Sequence, residues 1–196
     1  YSDNDVIKWG LLIGPSSSGP GGEKLYMASN LTSFQQFIGI ISAIDNTDLM
    51  GGNEMLYDAI YLAIHNLVDP ADLPMQIPDL QWDYTVHDST PTLNSFKVNW
   101  REDAHHVVIS FSDEEGQSYL SPEITQQNII DVASLADDLA IYTFSPPNYE
   151  TSQTWNGIQT GWGPISIGGS WFLLSNQANL MFDNLMQILD ETACGG

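Results

Sequence analysis

Apolar residues recur along this chain in two rhythms, short continuous runs and helical spacing, and the two alternate. Val6 to Ile13 reads as a strand, followed by turn residues from Gly14 to Gly22 and a second strand, Lys24 to Ala28, that closes a hairpin. Leu31-Thr32-Ser33 then opens a helix capped by Thr32 or Ser33. Its apolar positions Phe34, Phe37, Ile38, Ile41 and Ile44 fall on one face and are expected in the core. A polar loop from Asp45 to Glu54 leads to a second helix with Met55, Leu56, Ala59, Ile60, Ala63, Ile64 and Leu67 on its buried face.

Between Asp69 and Asn99 the periodicity is lost and prolines gather at 70, 74, 78 and 91. So long an aperiodic stretch reads as an insertion or packed loop, with one short strand in Gln81 to His87, leading into the amino end of the next strand. It is expected on the face opposite that strand's acidic end. The strand is the chain's most apolar extended run before acid: Val107 to Phe111, then Ser112-Asp113-Glu114-Glu115. Ser121-Pro122-Glu123 has the composition of a helix start, with the helix running to about Asp138. Leu139 to Phe144 follows as a strand. Strand, helix and strand in this order predict a right-handed βαβ unit and a sheet that is at least partly parallel. A loop from Ser145 to Ser170 carries Tyr149, Trp155 and Trp162, aromatics that serve either to recognise a ligand or to pack so long a loop down on itself. A strand from Ser170 to Leu174 and a helix capped by Asn176, with Leu180, Met181, Leu185, Ile188 and Leu189 on its buried face, complete the pattern.

Composition agrees with one domain over residues 1–196, since 42% hydrophobic and 11% aromatic residues suffice for a core. No apolar run reaches the roughly 18 residues of a membrane-spanning helix. Twenty-five acidic residues against four basic ones give a net charge of −21, and no Lys or Arg follows Arg101. Such a field repels nucleic acid and anionic membranes, and it attracts cations. Most of this charge reads as solvated surface, Glu114 and Glu115 included, and the sequence question becomes which carboxylates do more.

An open α/β sheet binds ligands at the carboxyl ends of its strands, which puts Ser112 and Asp113 in the expected place. Glu54 reaches the same edge from the loop before the second helix, although the favourable electrostatics of a helix N-terminus also account for a carboxylate there. Oxygen donors brought by separate loops are the chemistry of Mg²⁺ or Ca²⁺. Other features carry less. His105-His106 has no third His or Cys at zinc spacing. The serine run at 16–18 has neither the Lys of a phosphate loop nor a preceding Asp. The single Cys194 has no partner in the chain, so it is a free thiol or pairs outside it.

Three stretches together resemble the von Willebrand factor A family, most closely its integrin β I-like branch. They are Leu31-Thr32 with the helix to Ile44, Glu54-Met55-Leu56-Tyr57-Asp58-Ala59-Ile60, and Trp100-Arg101 followed by the Val107 strand and Ser112-Asp113. The resemblance implies a Rossmann-like α/β fold with a mostly parallel central sheet, one antiparallel edge strand and helices on both faces. It also implies a metal-ion-dependent adhesion site holding Mg²⁺ or Ca²⁺, with Glu54 as the second-loop ligand, Ser112 and Asp113 from the third loop, and Asp48 and Asn53 near enough to assist. The family's first loop, D-x-S-x-S, is not in this sequence. Matched by position, Val6 to Ile13 corresponds to the family's second strand, so its first strand and first helix are expected before Tyr1, on another chain, in a cleaved segment that stays attached, or in a part of the protein outside this sequence.

Three functional classes follow. The first is an extracellular or cell-surface binding module for a protein or glycan, with Tyr149, Trp155 and Trp162 at the ligand edge. The second is a metal-free structural subunit of a pilus tip, motility complex or surface layer. The third, a hydrolase with Glu54, Asp113 and Glu114 as acid, base or metal ligands, has no support from a nucleophile: Ser112 has no His close in sequence and Cys194 is terminal. Binding rather than catalysis is the expectation.

Overall fold

The structure, a computed structural model, describes residues 7–16, 25–44, 53–82, 93–151, 153–155 and 157–194. Its elements in chain order are β1 (Trp9–Ile13), β2 (Pro15–Ser16), β3 (Tyr26–Thr32), α1 (Phe34–Ile41), β4 (Asn53–Glu54), α2 (Leu56–Ile64), β5 (Gln81–Trp82), β6 (His106–Phe111), β7 (Leu120–Ser121), α3 (Gln126–Leu135), β8 (Leu139–Ser145), β9 (Gln153–Trp155), β10 (Ile158–Thr160), β11 (Gly168–Leu173) and α4 (Ala178–Cys194).

The fold is mixed α/β. β6, β8 and β11 form a parallel sheet in the order β11-β8-β6, as the βαβ pattern requires. β8 is buried along its whole length, which is why Leu139 to Phe144 reads as unbroken apolar sequence. Its side chains alternate between two cores. Leu139 and Ile141 join the main one, which α2 and α3 cover, while Ala140, Tyr142 and Phe144 meet Ile188 of α4 on the opposite face. Helices thus lie on both faces of this sheet. The expected antiparallel strand is not part of it: β1 and β3 pair with each other in a separate two-stranded sheet.

α2 is the most buried helix, with every residue from Tyr57 to Ile64 shielded, because it packs on α3 and beneath β6. Two hydrogen bonds tie the following irregular segment to it, Tyr61 Oη to the Met75 carbonyl (2.7 Å) and Trp100 Nε1 to the Ala63 carbonyl (2.9 Å), and a third joins Asn66 Nδ2, just past the helix, to the Val98 carbonyl (2.7 Å). Where it is described, this segment is a series of single 3₁₀ turns with the short β5, and it is not confined to the amino end of β6. Gln81–Trp82 pair with Leu120–Ser121, beyond the acidic cluster; the rest of the strand expected to His87 lies outside the described residues. His106 is buried at the amino end of β6, its Nε2 2.8 Å from the Arg101 carbonyl and its ring edge-on to Trp100, so it works as a structural residue.

Four expectations are corrected. Leu31 and Thr32 belong to β3, and Ser33 alone caps α1, accepting from the Gln36 N–H. No residue of α1 is buried: among the described residues Phe34 and Phe37 meet the ring of Trp9, while Ile38 and Ile41 remain exposed. Ser121-Pro122 does not start a helix: the bond is cis, β7 ends there, and α3 begins after Thr125, which forms a capping box with Asn128. Thr125 with Asn128 satisfies two orphan N–H groups at once, which a lone serine cannot. In α4, which starts at Ala178, Leu180 is exposed, and only Ile188 is fully enclosed with Met181 and Leu185 half-buried beside it.

Candidate functional site at the carboxyl end of the parallel sheet

The carboxyl end of β6 and the start of α2 meet. Ser112 Oγ donates toward Glu54 Oε2 at 2.7 Å, a contact between residues 58 apart in sequence. The same oxygen lies 3.0 Å from the Glu114 carbonyl and accepts from the Glu114 N–H at 3.1 Å, closing a tight turn at the end of the strand. Asp113 follows, and its negative charge bears on Glu54. Burial, with further pressure from the negative Asp113 and Glu114, pushes Glu54 up to about 7 against the opposing hydrogen bond from Ser112. Met55 is the cap residue of α2, so Glu54 lies ahead of the helix and its carboxylate is aimed at Ser112.

Backbone bonds fix Glu54 in this place. The Met55 N–H donates to the Gly14 carbonyl at the end of β1 (2.9 Å), and Pro15–Ser16 pair with Asn53–Glu54. The Glu54 N–H donates to Gln117 Oε1 and the Tyr57 N–H to the Gln117 carbonyl, both at 3.2 Å. The carboxyl ends of β1 and β6 therefore reach the same turn from two sides.

The acidic loop itself is clamped twice. Asp58 is fully buried in the first turn of α2 and accepts from Ser118 Oγ and from the Tyr119 N–H at 2.7 Å; Ser118 Oγ in turn accepts from the Ile124 N–H at 2.8 Å. On the other side, Trp162 Nε1 donates to the Glu114 carbonyl at 2.8 Å. Its ring stands edge-on to Tyr57, whose hydroxyl both donates to the Gly161 carbonyl (2.9 Å) and accepts from the Gly161 N–H (2.8 Å).

Of the residues expected at the site, Glu54, Ser112 and Asp113 are brought together. Asp48 lies outside the described residues, and Asn53 is described in its backbone only, as part of β4. The aromatic loop fares differently. Trp162 is a fully buried core residue and presents nothing to a ligand, because its indole packs on Tyr57 and binds the acidic loop. Tyr149 is half-buried against the main core, and the side chain of Trp155 lies outside the described residues. Asp58, Gln117 and the Glu114 carbonyl were not singled out by sequence. Asp58 sits inside a motif that carries the family resemblance, but nothing in its spacing names Ser118 as its partner.

Two carboxylates and a hydroxyl are all hard oxygen donors, which suits Mg²⁺ or Ca²⁺ and not the softer metals. Among the described residues, no group of three or more His, Cys, Asp and Glu side chains is placed to hold a metal, so these three donors would fill only part of a shell of about six. No helix among the described residues is long and apolar enough to cross a membrane. Comparison with known families, with curated proteins and with solved structures returns no match.

Proposed function

We propose that this chain is a binding domain of von Willebrand factor A type, working outside the cell or on its surface. Glu54, Ser112 and Asp113 hold a Mg²⁺ or Ca²⁺ ion, and a carboxylate of a protein or glycan ligand completes its coordination. One observation carries the reading: two carboxyl groups and a hydroxyl from segments 58 residues apart converge where the strand order puts a ligand site. The charges acting on Glu54, those of Asp113 and Glu114, are both negative. A divalent cation relieves that repulsion.

The same reading includes a further strand, supplied by another chain or a cleaved segment, between β1 and β6. Each of these is a terminal strand of its sheet among the described residues, and both lead to the Glu54 turn. β6 carries no Asp, Glu, Lys, Arg or proline, and so lacks the devices that protect a permanent edge. The Ser110 hydroxyl on β6 is buried without a hydrogen-bond partner among the described residues, which agrees with a neighbour yet to be added.

In thermal unfolding of the chain with magnesium or calcium chloride against EDTA, the cation should raise Tm. At a hundredfold excess over Kd the gain is about 2.7 kcal/mol, or roughly 5–10 °C for a domain of this size. Asp113→Ala should abolish the shift. A shift that survives in that variant removes the cation from this site, and no shift in the wild type favours the metal-free structural subunit.

A further inference from the structure

We infer that Trp162 is a positioning residue for the cation site, setting the Glu114 carbonyl as the acceptor to which Ser112 turns its proton when its oxygen becomes a ligand. The inference rests on the cation reading of Glu54, Ser112 and Asp113. A serine hydroxyl has one proton and two lone pairs. One lone pair of Ser112 Oγ already accepts from the Glu114 N–H, and the proton has two acceptors within reach, Glu54 Oε2 at 2.7 Å and the Glu114 carbonyl at 3.0 Å. The second lone pair is the one a cation takes. Once Glu54 Oε2 also points at the cation, a proton left between the two ligands opposes the bound charge. It rotates to the other acceptor within reach among the described residues, the Glu114 carbonyl, exchanging one hydrogen bond for another with no covalent bond broken and no proton lost.

That carbonyl is held from outside the loop. Trp162 Nε1 donates to it at 2.8 Å, filling one of its lone pairs and leaving the other toward Ser112. Trp162 has little freedom of its own. Its ring meets Tyr57 edge-on at 5.4 Å, its N–H donates to the Tyr149 carbonyl at 3.0 Å, and its carbonyl accepts from Thr143 Oγ1 at 3.1 Å. A carbonyl fixed in this way orients a ligand without touching the ion, and losing such outer partners weakens metal binding by about 10–100-fold.

The test is calorimetric titration of the full chain and its Trp162→Phe variant with magnesium chloride and calcium chloride, joined to ¹⁵N NMR of the wild-type indole groups. Phenylalanine keeps an aromatic ring beside Tyr57 and removes the donor. Kd for the cation should rise about tenfold, while the wild-type Trp162 indole resonance, assigned through its contact with Tyr57, moves with the same midpoint as the heat. The NMR arm needs no variant, so it stands even where the substitution impairs folding. An indole resonance that stays still through saturation, or a Kd within about twofold of wild type for a folded variant, overturns the inference alone. Failure of the wild type to bind either ion overturns the cation reading, and this inference with it.

Discussion

Replacement of Asp58 by alanine is expected to lower the unfolding free energy by about 3 kcal/mol, seen as a Tm loss of roughly 6–12 °C. The carboxyl is fully buried and gathers the Ser118 hydroxyl and the Tyr119 N–H, and through Ser118 the start of the segment leading to α3. Alanine leaves those donors buried without acceptors, and a stranded donor is more harmful than a missing bond. Asp58→Asn keeps the shape and one acceptor oxygen, so its loss should be smaller.

The two variants also separate shape from charge. Burial pushes Asp58 up to about 7 from an ordinary 3.8, against the donations from Ser118, Tyr119 and Leu120; the negative Glu123 adds to the rise, and both Asp58 and Glu115 bear on the neighbouring Tyr119 phenol. Between these values the folded chain retains a proton that the unfolded chain releases. The stabilising contribution is therefore complete below about 4 and is lost as pH rises through about 7. Wild type should lose stability relative to Asp58→Asn over that interval, measured as the Tm difference between the two at each pH. A difference that grows with pH instead would mean that the donors win over burial and that Asp58 is ionised throughout.

The second large effect is expected at Gly116. A Cβ placed there would lie 2.1 Å from Cε1 and 2.3 Å from Cζ of Tyr57. Such a clash is mild where the obstructing atom can swing away, but this ring cannot. Its hydroxyl is bonded to both the N–H and the carbonyl of Gly161, and its edge rests on Trp162. Gly116→Ala should cost about 1–3 kcal/mol by overpacking, and the pair Gly116→Ala with Tyr57→Leu should recover part of it. Urea unfolding of the single and double variants measures this; two independent, additive losses would show that the ring is not the obstacle.

How far the sequence led depends on the range of the interaction. The parallel sheet was legible because Val107 to Phe111 and Leu139 to Phe144 are largely apolar runs separated by one helical repeat; β8 is buried along its length, whereas Phe111 at the end of β6 is exposed. Glu54, Ser112 and Asp113 were legible as residues at strand and helix ends. Their convergence rests on tertiary contact, which periodicity does not report. The turn composition around Trp162 left both recognition and packing of the loop open, and Tyr57 and Glu114 draw it into the core. α1 shows the converse. Its apolar face was expected to be buried, but a helix's pattern states what it can bury and not whether a partner is present.

The brace on the acidic loop also sets an order of events. Tyr57 meets Gly161 across 104 residues and Trp162 meets Glu114 across 48, whereas β6 and β8 can pair as soon as α3 has joined them. Contacts this distant in sequence are slow to close. As the chain leaves the ribosome, the sheet and its α3 crossover can therefore take shape first, and the loop bearing Ser112 and Asp113 stays unset until residue 162 has emerged and folded back over it.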